Sequence, residues 1–386
     1  MLTVVLNGPS GAEYGSDNSL RHDHWRLPIP LQGDVPAYHI ADARDLSAHA
    51  CGACHAKQYE AWQVSFHHRA TSAGLMGQLG ALDPEEALFC LRCHAPRSEQ
   101  QEVWESTRSA TPRDLGGVDC AACHVREHVR YGPRDMALTP HGPVQKLELF
   151  NESAFCAPCH QFDEEGLSVN GKPLENTYEE WRASRYAREG ITCQTCHMKD
   201  GRHDFAGIHD REMTQTGLKI EAERIATGIR LRARNAGAGH ALPTYITPRI
   251  RILLHEPGRS ETPLREYIIQ RRMIWNIDTG WREISDTRLL PDQVVELVYP
   301  LDPGHAVFVS VVVEPDADYH ERIYPALMEM LADTLTPSQH RLLKTAEAES
   351  GRSSYVLYCL QCGPRQKNDT PCVRQSPGCP ACSRGS

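Results

Sequence analysis

Between residues 51 and 197 the chain spells Cys-x-x-Cys-His five times: Cys51-Gly-Ala-Cys54-His55, Cys90-Leu-Arg-Cys93-His94, Cys120-Ala-Ala-Cys123-His124, Cys156-Ala-Pro-Cys159-His160 and Cys193-Gln-Thr-Cys196-His197. With 15 cysteines and 20 histidines in 386 residues, chance supplies about 0.03 such strings. One CxxC alone suits a thioredoxin-like pair or half a zinc site. Five of these longer strings, at intervals of 39, 30, 36 and 37 residues, read instead as an array of attachment sites for covalent haem c. The chemistry needs that spacing: two thiols add to the vinyl groups on one porphyrin edge, and the adjacent histidine is drawn under the iron as an axial ligand. The expectation is five haems, with His55, His94, His124, His160 and His197 as proximal ligands.

One haem for every thirty to forty residues leaves little chain for ordinary packing, so the haems are expected to serve as core, wrapped by short helices and loops. Only 7% of residues are aromatic, which fits a core filled by something other than side chains. A net charge of -9 argues against a nucleic-acid partner, which calls for clustered Lys and Arg. No stretch approaches the roughly 18 apolar residues of a transmembrane helix. The apolar run Met1–Leu6 is cut short by Asn7-Gly8-Pro9-Ser10-Gly11, too early for a signal-peptide core. An exported chain would then have its leader upstream of this segment or a different start codon.

Function turns on how many irons carry a second protein ligand. A bis-His haem passes electrons and binds no substrate, whereas an open iron permits catalysis. Six histidines are candidates for the distal position. His67 ends a helical aromatic stripe, Tyr59…Trp62…Phe66, with His68 as its alternate. His128 follows the third motif by four residues, and His141 sits in the stiff loop Thr139-Pro140-His141-Gly142-Pro143. His203 and His209 follow the fifth motif, one as ligand and the other free to bond a haem propionate. His240 lies in Gly239-His240-Ala-Leu-Pro243-Thr244, where the glycine suggests close backbone approach to a cofactor. His22, His24, His39 and His49 precede or adjoin the first motif, and His255, His305, His320 and His340 read as surface residues. The stripe Tyr59-x-x-Trp62-x-x-Ser65-x-His67 recurs as Tyr178-x-x-Trp181-x-x-Ser184-x-Tyr186. Tyrosine in place of histidine there either packs or marks an open iron.

These motifs, the stripe ending at His67 and the Gly239-His240-x-Leu-Pro243-Thr244 element together resemble multihaem cytochromes of the cytochrome c-554 type, over roughly residues 46–255. The resemblance implies a largely helical haem domain, mostly bis-His ligation and electron transfer outside the cytoplasm, with His67 and His240 at distal positions. The prototype carrier has four haems and lacks the long C-terminal extension. Hydroxylamine oxidoreductase, with eight haems, and pentahaem nitrite reductases, commonly with CxxCK in one motif, are matched less well.

The organisation expected is an extended arm over 1–45, a mainly α haem domain of little regular structure over 46–217, a β-sandwich-like domain with terminal helices over 218–350, and a Cys-rich tail over 351–386. Strands are predicted at Gly228–Arg234, Arg249–Leu254, near Tyr267, at Val294–Tyr299 and at Ala306–Val313, and helices at Tyr324–Leu331 and Pro337–Glu349. In the tail, Cys359-x-x-Cys362 and Cys379-x-x-Cys382 with Cys372 between them match a zinc ribbon in spacing, while export favours disulfides. The functional expectation is a periplasmic or extracellular carrier that passes electrons between redox proteins, including a membrane-bound or larger complex. The alternative is an oxidoreductase acting on a small nitrogen or sulfur compound at one open haem.

Overall fold

The computed structural model describes residues 24–37, 39–40, 44–107, 112–162, 167–257, 262–276, 280–302, 304–364 and 369–374. The chain divides into two compact units, neither continuous in sequence. The first comprises Met1–Gln161, Gly190–Ala206 and Tyr324–Ala346 and contains all five motifs. The second comprises Phe162–Glu189, Gly207–Ile323 and Glu347–Ser386. Among the described residues no helix is long and apolar enough to cross a membrane.

In the first unit the motifs lie on single helical turns. Four end a helix on their histidine: Pro84–His94, Cys120–His124, Ala157–His160 and Cys193–His197. The first instead begins within the helix Ala48–Gly52, and His55 stands at the N-cap position of Ala56–Gln63 without a side-chain capping bond. Helices this short do not stand alone in water, so local caps matter. Asp83 and Glu86 form a capping box on Pro84–His94, Asp119 accepts the Ala122 N–H, and Thr192 pairs with Thr195 before Cys193. Each cap contributes about 1 kcal/mol. A small apolar cluster of Met76, Leu79, Ala87, Leu91, Ala95, Trp104 and Leu115 packs beside the second motif.

Two features of this unit were not expected from the sequence. The described part of the arm is a strap. Ile29 is fully buried, its N–H donating to Pro96 O (2.7 Å) while its own carbonyl accepts the Ser98 N–H (2.9 Å). Segment Tyr324–Ala346 also belongs here, not to the β unit. Gly74, Gly77 and Gly80 line one face of the helix Ala73–Leu79 and its end, and a Cβ on Gly77 would lie 2.8 Å from Leu343. Small residues one turn apart admit that close approach.

The second unit has a conventional core. One antiparallel sheet runs in the order Val294–Pro300, Gly228–Asn235, Leu218–Ile225, Thr370–Pro371; the other runs Val373–Arg374, Tyr355–Cys362, Val307–Glu314, Arg249–His255, Arg265–Ile269. Both sheets feed one apolar cluster, with Ile229 and Leu231 from the first and Ile250, Ile252, Val309 and Val311 from the second. A separate ribbon pairs Arg271–Asn276 with Gly280–Asp286. The tail contributes a strand, Tyr355–Cys362, whose apolar pattern was masked by its cysteines. Cys362 is bonded to Cys372, and Cys359 is also in disulfide form. That excludes a zinc site built on Cys359 and Cys362; Cys379 and Cys382 lie outside the described residues. His255, read from sequence as a surface residue, is buried with its Nε2 bonded to Ser310 Oγ (3.0 Å).

Because Ile250 is fully buried in the shared core, Ile250→Ala is expected to cost about 2–5 kcal/mol, read as a lower guanidinium midpoint. Val298→Ala, at a half-exposed edge position, should leave that midpoint nearly unchanged.

Candidate haem sites

None of the ten motif cysteines is in a disulfide, as covalent attachment requires. Two pairs of motifs meet through their first cysteines. Cys120 is hydrogen-bonded to Cys51, and Cys156 to Cys193. Sharing a proton splits each pair: the Cys193 thiol is pulled down to about 6 and the Cys51 thiol is lowered, while those of Cys120 and Cys156 are raised.

The imidazoles show a second regularity. A ligating nitrogen lies about 2 Å from its metal and about 1.1 Å from its ring centre, so two rings across one metal have centres about 6.2 Å apart. His55 and His141 stand 6.2 Å apart, His67 and His160 6.2 Å, and His124 and His203 6.3 Å. Each pair joins one motif histidine to a candidate from a different stretch of chain. His67 follows the first motif in sequence yet faces the histidine of the fourth.

Hydrogen bonds sort the histidines further. A backbone carbonyl only accepts, so a ring nitrogen bonded to one carries the proton and leaves the other nitrogen its lone pair. The Nδ1 atoms of His94, His124, His197, His203 and His240 donate to the carbonyls of Ala70, Tyr131, Ala206, Gly201 and Ala241 at 2.8–2.9 Å. His141 Nδ1 donates to Thr139 Oγ1 (2.8 Å), whose own proton goes to Gly142 O. All six present Nε2 as the lone-pair nitrogen. Burial also keeps five candidate rings neutral: His67 is held down to about 3 and His124 to about 4, and His141, His197 and His203 are lowered. Neutral imidazole is the form that binds metal.

Two candidates behave differently. His128 Nε2 donates to Gly33 O (3.1 Å), and its ring stands 6.1 Å from His39. That spacing belongs to a buried cationic cluster, since Arg130 Nη1 lies 3.2 and 3.3 Å from the two His39 nitrogens. His209 Nε2 donates to Asp316 Oδ2 (3.0 Å) in the second unit. In both, Nε2 is engaged and Nδ1 is the nitrogen left with the lone pair; that of His128 is buried without a hydrogen-bond partner.

The Tyr–Trp–Ser repeat is real at the level of local structure. Ser65 Oγ donates to Trp62 O (2.7 Å) and Ser184 Oγ to Trp181 O (2.6 Å), while the Tyr and Trp rings lie 5.9 and 5.6 Å apart in the two copies. At its end, however, Tyr186 is a packing residue. Its hydroxyl donates to Ala236 O (3.0 Å), and the Arg185 guanidinium covers its ring. The expected close approach at Gly239 is to protein: an added Cβ would meet Trp181 at 3.0 Å and Tyr186 at 3.5 Å. The loop carrying His240 is pinned by Glu180, which accepts the Ala241 N–H (2.8 Å), and by Arg288, which donates to Thr244 O (3.0 Å).

Sequence reading passed over two residues that hold the third motif. His24 Nε2 donates to Cys123 O (2.9 Å), and Arg126 donates to the carbonyls of Ala122, Val125 and His24. The available signal was a basic residue just past a helix end, where carbonyls lack partners.

Comparison with known proteins follows the same lines. Residues 50–125 match the family described as cytochrome c554 and c-prime. The cytochrome c-type protein TorY of Haemophilus influenzae is 24% identical over 164 residues, which cover 36% of this chain and 43% of that protein. The chain thus matches less than half the length of this curated relative. The crystal structure of a penta-heme cytochrome c552 from Thermochromatium tepidum aligns with a TM-score of 0.53 at 18% identity, over 86% of this chain and 99% of that one. At that identity the likeness speaks for the fold alone.

His24 yields a pH prediction. Burial, aided by the Arg126 charge, lowers its folded value from 6.5 to about 3. The unfolded chain therefore takes up this proton first, and the stability contributed above pH 6.5 is lost as pH falls toward 3. His24→Gln should flatten the fall in urea midpoint between pH 7 and pH 4.5; an unchanged slope would refute this.

Proposed function

We propose that this chain, a multihaem c-type cytochrome, carries five covalent haems and relays electrons between redox partner proteins in the periplasm or outside the cell. Bound haem supplies a one-electron ferric/ferrous couple. Cys51, Cys54, Cys90, Cys93, Cys120, Cys123, Cys156, Cys159, Cys193 and Cys196 anchor the five groups, and His55, His94, His124, His160 and His197 are their proximal ligands. His141, His67 and His203 would be the distal ligands opposite His55, His160 and His124, and His240 would be a further ligand.

The observation that carries this reading is the trio of opposed imidazole pairs at 6.2–6.3 Å, each including a motif histidine. Such pairs hold neutral nitrogens on both sides of an iron, close it to substrate and keep its coordination unchanged on reduction. Saturated haems suit a carrier. The alternative, reduction or oxidation of a small nitrogen or sulfur compound at an open iron, loses its motive where Tyr186 proves to be engaged in packing. The two sheets that share one core are read as a β-sandwich. An electron-relay role calls for redox partner proteins, among them a membrane-bound or larger complex.

Denatured-haem spectroscopy and intact mass of the holo-protein should give five haems per chain; fewer would remove the count. Dithionite-reduced protein should keep its low-spin spectrum under carbon monoxide. A shift worth one haem in the wild type would instead favour the oxidoreductase. His141→Ala is expected to create carbon monoxide binding at about one haem in five while leaving haem content intact.

A further inference from the structure

The ring nitrogen that selects the tautomer of His141 has a different kind of partner from the others. The Nδ1 atoms of His94, His124, His197, His203 and His240 are bonded to backbone carbonyls, which can only accept. His141 Nδ1 is bonded to the hydroxyl of Thr139 (2.8 Å), and a hydroxyl can accept or donate. Donation from Thr139 would place the ring's own proton on Nε2 and remove the lone pair that a metal needs.

The loop itself fixes the direction. Thr139 Oγ1 gives its single proton to Gly142 O, so toward the ring it accepts. Thr139-Pro140-His141-Gly142 is a tight turn closed by the Gly142 N–H on Thr139 O (3.1 Å). Proline stands at its second position and glycine at its fourth, where such turns favour them. Gly142 has φ 82°, a conformation glycine adopts without strain. The base of the loop is closed by two backbone bonds between Met136 and Val144 (3.0 and 2.9 Å) and by the Lys146 N–H on Asp135 Oδ1 (2.8 Å). None of these closing bonds uses the Thr139 side chain, so its hydroxyl acts on the ring and not on the closure of the loop.

We infer that Thr139 is a positioning residue for His141: its hydroxyl holds the ring in the Nδ1–H tautomer and strengthens the donation of Nε2 to the iron of the haem at Cys51/Cys54. This rests on the reading of His141 as the ligand opposite His55. An acceptor at Nδ1 makes the other ring nitrogen more basic, and a more basic axial ligand favours ferric over ferrous iron. The side chain at position 139 is thereby a lever on the potential of one haem.

The test is a spectroelectrochemical titration of holo-protein variants, with haem content and carbon monoxide binding measured on the same samples. Thr139→Val keeps the shape of the side chain and removes the acceptor; it should raise one midpoint while the others hold. Thr139→Ala, free of the bulk of valine, should raise the same midpoint. Thr139→Ser keeps the hydroxyl and should match the wild type. In electron paramagnetic resonance of the oxidised samples, one low-spin ferric signal should be displaced in Thr139→Val and unmoved in Thr139→Ser. His141→Ala, which opens about one haem in five to carbon monoxide if His141 is a ligand, tests the underlying reading on its own. Unmoved midpoints in Thr139→Val and Thr139→Ala at full haem content, or a Thr139→Ser midpoint displaced as far as that of Thr139→Val, would overturn the inference. A His141→Ala variant that binds no carbon monoxide would overturn the reading of His141 as a ligand, and the inference with it.

Discussion

Two imidazoles can share an iron only if their centres are about 6.2 Å apart and each turns an unprotonated nitrogen to the metal. Much of the first unit serves that requirement. His124, His197 and His203 are fixed by backbone carbonyls at Nδ1, and His141 by a threonine hydroxyl. A carbonyl partner does two things at once: it selects the tautomer and sets the plane of the ring. Burial then keeps the rings neutral, most strongly at His67. Residues that hold a ligand's second nitrogen are therefore as much part of the site as the ligand.

The helices that carry the motifs, 4 to 11 residues long, are too short to persist by themselves, and their support is correspondingly local and polar. Side-chain caps at Asp83, Asp119 and Thr192 satisfy their first N–H groups. At the end of the third motif Arg126 satisfies several of the last carbonyls, and His24 bonds the carbonyl of Cys123. Trp62 likewise donates to Val118 O (2.8 Å), tying the helix after the first motif to the approach to the third. A unit with a modest apolar cluster can be ordered this way because its larger buried groups are to be supplied by the haems.

The second unit solves the folding problem by ordinary means. Two antiparallel sheets alternate apolar and polar positions and close one shared core. Two of its buried arginines are ion-paired, while buried Arg224 donates to the carbonyls of Gly363 and His305. Arg271 meets Glu283 (2.8 Å), and Arg288 meets Asp286 (2.9 Å) and Glu180 (3.6 Å). The last of these networks also fixes the loop bearing His240. The repeat of Tyr, Trp and Ser in the two units is the same local turn put to different ends, ligand presentation in one and packing of the His240 loop in the other.

The sequence by itself pointed to the cofactor class and to the proposed attachment residues, because covalent haem chemistry demands two thiols and a histidine at fixed spacing within one helical turn. It also determined most strands of the second unit, where a two-residue period survives in Val307–Glu314 and Gly228–Asn235. The strand Tyr355–Cys362 was obscured because four of its residues are Cys or Tyr rather than simple aliphatics. What only the tertiary structure decided was which histidines face which. His67 opposes His160, and His203 opposes His124, across 93 and 79 residues of chain. No local pattern encodes such a pairing, since it depends on where the chain returns. His128 and His209 have the same side chain and equally suggestive positions, yet a carbonyl and a carboxylate engage their Nε2 atoms. The type of ligand is a local property of the sequence; its partner and its free nitrogen are settled by packing.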